Sequence, residues 1–158
     1  HLVFSTLHTN DAAGAITRLL DMGVEPFLVS SSLECMIAQR LVRLICPECR
    51  APAKVSELAL KNFGVSEKPE NVNLFAGKGC PACKFSGYRG RTGIYEIIVM
   101  NDCLREMVIQ KASSQQIKRK AIEFGMRSLR SDGWNKIQKG LTTIEEVMRV
   151  TQIEETVE

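Results

Sequence analysis

Nothing in the sequence matches GxxxxGK[ST], so the chain lacks the backbone cradle on which phosphoryl transfer depends and is not by itself a complete nucleotide hydrolase. There is no GxSxG nucleophile elbow and no HExxH helix, which removes the α/β-hydrolase and zinc-protease readings. No apolar run approaches the ~18 residues of a membrane-spanning helix, and no signal-peptide pattern is present. Excess charge is small: 21 basic against 18 acidic residues leave +3, too mild to argue for nucleic acid. Aromatic residues are only 6% of the chain, few for the stacking platforms that single-strand binders use. What remains, 158 residues with 44% hydrophobic and 25% charged, is an ordinary core-forming chain of one domain or one domain with a small insert.

Cysteine is the one unusual resource. Four of the six cysteines form two matched knuckles, Cys46-Pro47-Glu48-Cys49 and Cys80-Pro81-Ala82-Cys83. Each knuckle places two sulfurs on a tight turn, and two such turns complete a tetrahedron around one metal. Thiolates in this arrangement select zinc over calcium or magnesium; an iron–sulfur cluster is the less favoured alternative, since its usual cysteine runs differ. Residues 50–79 exceed the usual spacing of about 15–20 for short zinc motifs, which predicts a small subdomain between the knuckles. Paired CxxC spacing in a chain of this size points to a reduced compartment rather than a disulfide scaffold. The competing reading is two unrelated pairs of reduced surface thiols. A thiol–disulfide exchanger would need one reactive pair on a thioredoxin-like unit. Cys35 and Cys103 fall within helical patterns and read as small buried apolar residues.

Taken in order, His1–Leu7 is apolar and β-prone and predicts a buried strand; a chain that opens inside a strand reads as part of something longer. Thr9 or Asn10 is placed to cap the next helix. That helix carries Ala12, Ala15, Ile16, Leu19 and Leu20 as one stripe and ends at Gly23. Pro26 opens a second helix with Val29, Leu33, Met36 and Ile37 inward. Gln39–Ile45 reads as a strand entering the first knuckle. Strand, helix, helix, strand indicates a layered α/β fold. Between the knuckles a short helix is expected over 55–63 with Ser56 as cap, then loop over 64–73 and a short strand around Val72–Phe75. Residues 87–93 read as loop and 94–100 as strand. Helices follow, capped by Asn101 or Asp102, by a Ser113–Gln116 capping box and by a Thr143–Glu146 capping box, with another over 131–139. Leu104, Met107, Val108, Ile117, Ala121, Phe124, Trp134, Ile137, Ile144, Val147 and Met148 are assigned to the core.

His8 stands where the first strand meets a helix N-terminus, a place whose free N–H groups favour an anion. A histidine there is suited to bond a terminal phosphate, or serves as a cap. Arg40 and Arg43 lie in an apolar strand and need partners: a salt bridge or edge position, or a nucleotide or subunit-interface role. Arg89 and Arg91 flank glycine and form a weak footprint for phosphate or nucleic acid. Lys118-Arg119-Lys120 reads as the solvated face of a helix.

The segment His1–Asp11 resembles the "His box" of the secretion ATPases, the hexameric motors of type II secretion and type IV pilus assembly. The resemblance continues through Arg18–Gly23, Gln39–Arg43, both knuckles, Gly87–Glu96, Leu129–Gly133 and Thr142–Val147. It implies a partial RecA-like layered α/β core over residues 1–45, a tetracysteine zinc-binding insert over 46–92, and a strand with a helical C-terminal bundle over 93–158. It implies that His8 approaches the γ-phosphate, and that Cys46, Cys49, Cys80 and Cys83 hold a structural Zn2+. ATP and Mg2+ belong to the full-length enzyme, since the family's Walker A, Asp box and Walker B precede the His box; this chain alone is expected to be inactive. The implied partners are neighbouring subunits of a homohexamer and the inner-membrane platform, at a cytoplasmic location peripheral to that membrane, with no nucleic acid. The reading from another class is a freestanding zinc-ribbon module binding nucleic acid.

Overall fold

The computed structural model describes residues 1–66 and 68–151. The chain runs α1 (Ala12–Asp21), α2 (Pro26–Ser32), β1 (Cys35–Ile45), β2 (Arg50–Ala53), α3 (Glu57–Phe63), β3 (Leu74–Gly77), β4 (Tyr88–Val99), α4 (Asp102–Ile109), α5 (Ser114–Glu123), α6 (Leu129–Gln138) and α7 (Ile144–Val150), with short 3-10 turns at Pro69–Asn71 and Pro81–Cys83. β1 pairs with β4, and β2 with β3. Among the described residues no helix is long and apolar enough to cross a membrane. Glu67 in the expected 64–73 loop, and residues 152–158 of the third expected segment, lie outside the described residues.

Contacts group the chain into two units that each use two separate stretches. One unit is His1–Gln39 with Tyr95–Leu129; the other is Arg40–Ile94 with the chain from Arg130 onward. The three consecutive segments of the sequence reading follow chain order, whereas packing assigns α4 and α5 to the first unit and α6 and α7 to the second.

In the first unit α1 packs on α5 and α2 on α4. Ala12, Ala13 and Ile16 of α1 meet Val29, Met36, Ile98, Met100, Leu104, Val108, Ile117 and Ala121 in one buried cluster. The cap of α1 is Asp11, not Thr9 or Asn10: its carboxylate accepts the Gly14 N–H at 2.8 Å. Asn101 caps α4, and the Ser113–Gln116 capping box opens α5 in both directions. His1–Leu7, expected as a buried strand, carries no regular structure, and Leu2, Val3 and Phe4 are 76%, 78% and 89% exposed. β-Propensity describes residues suited to a pleated surface, but a strand exists only with a ladder partner, and none pairs with this segment among the described residues. α2 stops at Ser32, so Met36 and Ile37 lie on β1, where alternation buries the first and exposes the second. The same alternation leaves Cys35 exposed on a strand, contrary to its helical reading, while Cys103 on α4 is half-buried. Phe124 falls at the C-cap of α5 and is exposed rather than inward.

In the second unit β2 and β3 run antiparallel with Arg50 opposite Gly77 and Ala53 opposite Leu74. Ser56 caps α3 as expected, and Gly64 with φ +90° ends it. α3 packs on α7. Phe63 meets Trp134 with ring centroids 5.4 Å apart, and the Arg130 guanidinium lies 5.3 Å from the same Phe63 ring. The residues expected as loop before Ile94 belong to β4, which begins at Tyr88. Glycine is dictated at Gly77: a Cβ built there would lie 2.0 Å from the Gly87 carbonyl oxygen.

Gly133 lets α6 approach α7, because a Cβ there would stand 2.4 Å from Cγ1 of Val147. Valine is stiff at χ1 and cannot swing clear cheaply. Overpacking in Gly133→Ala costs about 1–3 kcal/mol, against roughly 1 kcal/mol gained in helix propensity, so a net loss of up to about 2 kcal/mol is expected. Thermal melting checks this, with partial recovery expected in Gly133→Ala/Val147→Ala.

Candidate functional site

The knuckles are joined by backbone before any metal is considered. β1 delivers Cys46, whose N–H donates to the Gly87 carbonyl at 2.9 Å. The Lys78 N–H donates to the Cys49 carbonyl at 3.0 Å, next to the Arg50–Gly77 pair that closes the β2–β3 ladder. Pro81 opens the second knuckle's 3-10 turn, and Lys84 leaves it in the left-handed region. All four Sγ atoms consequently lie within 4.8 Å of one another. The separations Cys46–Cys80, Cys49–Cys83 and Cys80–Cys83 are 3.8, 3.9 and 3.7 Å. A tetrahedron with metal–sulfur bonds of about 2.3 Å has edges of about 3.8 Å, so the donor set fits a zinc-sized ion.

The thiols are electrostatically unequal. Burial pushes Cys83 up, but the N–H groups of Cys80 and Gly87, at 3.2 and 3.3 Å from its sulfur, together with the Cys80 and Cys49 thiols bring it down to about 6. Burial, reinforced by the neighbouring thiols, pushes Cys49 up to about 12. Backbone donors thus favour the thiolate at Cys83, while burial favours the thiol at Cys49. A divalent cation resolves that conflict by favouring deprotonated sulfur at every corner.

The other expected site residues fall elsewhere. His8 is exposed and precedes α1 in the first unit. Two of the N–H donors at that helix start are taken by protein: the Ala12 N–H donates to Glu96 Oε1 at 3.0 Å and the Gly14 N–H to Asp11 Oδ1 at 2.8 Å. Arg40 is half-buried on β1. Arg43 has its salt bridge, with Nη2 2.6 Å from Glu146 Oε1, and its guanidinium lies 4.2 Å from the Tyr88 ring centroid. Arg89 pairs with Glu48 across an exposed 3.2 Å contact. Arg91 lines an open depression of about 500 Å³ together with Leu41, Arg43 and Arg149. Lys118 is not solvated as expected: only 22% exposed, it reaches Asp11 at 3.5 Å and Glu96 at 3.4 Å.

Two carboxylates were missed by sequence reasoning. The spacing makes Glu146 the return half of a capping box, but only Thr143 caps α7. Glu146 instead accepts the Arg43 N–H at 3.0 Å and both Arg43 and Arg149 guanidiniums. Charge-assisted, bidentate bonds outcompete a single neutral N–H. The signal for Glu96 was in the alternation, since it shares a face with Ile94 and Ile98 and is fully buried with them.

Fold and centre together define a mixed α/β chain carrying a cluster of four cysteines placed to hold a metal ion. A crystal structure of the pilus retraction motor PilT with bound ADP superposes with a TM-score of 0.59 over 96% of this chain and 32% of that one, at 20% identity. The type II secretion system ATPase E of Vibrio cholerae serotype O1 is 50% identical over 152 residues, 96% of this chain and 30% of that protein. The type IV pilus assembly ATPase PilB of Myxococcus xanthus is 50% identical over 150 residues, 94% of this chain and 26% of that protein. The sequence model of the family "Type II/IV secretion system protein" matches residues 1–149. The chain belongs to that family, and it spans about 30% of the length of the type II secretion relative.

Protein purified without chelator is expected to carry one zinc per chain, and Cys80→Ser to lose it and loosen residues 46–92, since binding free energy in such sites is part of folding free energy. Elemental analysis that finds no zinc counts against the assignment. For Glu146, Arg43 with Arg149 overcomes burial and holds the carboxyl at about 2 against its ordinary 4.5. Its folded pKa is depressed, so its stabilisation is complete above pH 4.5 and is lost as pH falls through about 2. At 1.36 kcal/mol per unit this amounts to about 3 kcal/mol. Subtracting the acid denaturation profile of Glu146→Gln from that of the wild type should isolate this loss from acid release of the metal; parallel profiles would refute it.

Proposed function

We propose that this chain is the C-terminal part of a hexameric secretion ATPase that, in full length, couples ATP hydrolysis to assembly of a pilus or pseudopilus and to type II protein secretion. The observation that carries the reading is 50% identity along nearly the whole chain to both a type II secretion ATPase and a pilus assembly ATPase. On this reading residues 1–45 belong to a RecA-like core, residues 46–92 form a zinc module, and residues 93–158 complete the chain with a strand and helices. Cys46, Cys49, Cys80 and Cys83 hold structural Zn2+, while ATP and Mg2+ are bound by the full-length enzyme and supply the phosphoryl group and its charge neutralisation. Neighbouring subunits and the inner-membrane platform are the partners, at the cytoplasmic side of that membrane. Arg40 and Arg43 serve a nucleotide or subunit interface, with Arg43 held in place by Glu146.

His8 is the chain's own contribution to the chemistry in this reading. Its imidazole is exposed and free to donate an N–H to charge building on a terminal phosphate. If that bond forms chiefly in the transition state, its loss lowers turnover more than affinity. In the full-length enzyme His8→Ala should reduce kcat by about ten- to a thousandfold, the range for removal of one charge-stabilising donor. Nucleotide binding and the melting curve should change little, because Asp11 rather than His8 caps α1. Steady-state ATPase measurement at wild-type turnover would end the sensor reading.

A further inference from the structure

Glu96 sits on β4 between Ile94 and Ile98, on the buried face, and none of it is exposed. A third apolar side chain would be the ordinary solution there, since replacing a buried ion pair by well-packed hydrophobic residues is often neutral or stabilising. The carboxylate is therefore better explained by what it holds. Oε1 accepts the Ala12 N–H at 3.0 Å, and Oε2 accepts the Leu129 N–H at 3.4 Å and lies 3.4 Å from Lys118 Nζ. Lys118, on α5, also lies 3.5 Å from Asp11 Oδ2. Asp11 Oδ1 takes the Gly14 N–H, and the Thr9 hydroxyl donates to the Asp11 carbonyl at 3.0 Å. The backbone from Thr9 to Gly14 is thus tied at Thr9, Asp11, Ala12 and Gly14, and His8 is the residue immediately before the first tie.

We propose that Glu96 is the positioning residue for His8, acting with Lys118 to clamp the first turn of α1 and so to fix where the imidazole reaches. The inference rests on the reading of His8 as a phosphate sensor. The clamp has a second effect on the same residue. Glu96 and Asp11 occupy two of the helix N-terminal donors that would otherwise attract an anion. An incoming phosphate is left to meet the imidazole instead of settling on the helix end. Lys118 links this arrangement to α5, so a shift of that helix alters both carboxylates at once.

The test uses the full-length enzyme with Glu96→Gln, Lys118→Met, His8→Ala and the Glu96→Gln/His8→Ala pair. Glutamine keeps the size of Glu96 but removes the charge that Lys118 pairs with. Glu96→Gln should lower kcat by about ten- to a hundredfold, the scale of a small misplacement of a reacting group, with KM for ATP little changed. Lys118→Met should repeat the pattern more weakly. The pair should be no slower than His8→Ala alone, because the clamp acts through His8. A merely structural carboxylate would instead give losses that multiply with His8→Ala and follow the melting temperature, and that result overturns the proposal. Wild-type kcat in both Glu96→Gln and Lys118→Met, with His8→Ala slow, also overturns it while leaving the sensor standing. Wild-type kcat in His8→Ala removes the sensor and the clamp's purpose together. Should Glu96→Gln fail to fold, the partly exposed Lys118→Met decides, alone and paired with His8→Ala.

Discussion

Four sulfur atoms gathered within 4.8 Å repel one another as thiolates and lose little by separating as thiols. Something must hold them, and the second unit is built as that support. The β2–β3 ladder aligns the ends of the two knuckles, the Cys46–Gly87 bond pins one to the start of β4, and the Gly77–Gly87 approach permits only a hydrogen at the narrowest point. These backbone bonds accompany four sulfurs held at the spacing of a tetrahedral thiolate site. The segment between the knuckles also has its own anchors, Phe63 against Trp134 and α3 against α7.

Each unit contains a buried carboxylate that does what an apolar residue cannot, and the two cases share a design. Glu146 takes the Arg43 backbone N–H from β1 along with two guanidiniums. Glu96 takes the N–H groups of Ala12 and Leu129, which lie 84 and 33 residues away in sequence, along with Lys118. In both, a buried charge is satisfied by backbone donors and neighbouring cations. Removing the partners of such a group is costly, because it leaves a buried charge unpaired.

What could be read from sequence was what depends on near neighbours. The two CxxC pairs announce within four residues the thiols that the fold gathers within 4.8 Å, and Ser113–Gln116 closes its capping box within four. Ser56, Asn101 and the proline at Pro26 are equally local. Thr143–Glu146 shows the limit of that logic: the spacing is the same, but the glutamate is claimed by an arginine 103 residues away. Lys118 looked like surface because its partners, Asp11 and Glu96, come from other elements. Cys35, Met36 and Ile37 follow α2 so closely that apolar spacing extended the helix by period, whereas the chain had already turned into a strand. His1–Leu7 has the composition of a strand, but composition does not supply a ladder partner. His8, the proposed sensor, was found by its position before a helix; the carboxylates that occupy that helix's donors were invisible without coordinates.

The division into two interleaved units constrains the order of folding. Neither unit is contiguous: residues 1–39 wait for 95–129, and residues 40–94 wait for the stretch beginning at Arg130. Their closing contacts join residues far apart in sequence, which slows folding because loop entropy is lost before those contacts form. In chain order the last cysteine ligand, Cys83, comes before Glu96, Lys118 and Glu146. During synthesis the thiols therefore emerge ahead of every ion pair that braces the units. Contacts between the knuckles therefore close the loop from residue 46 to residue 83 first, and shorten the loops that the later contacts have to close.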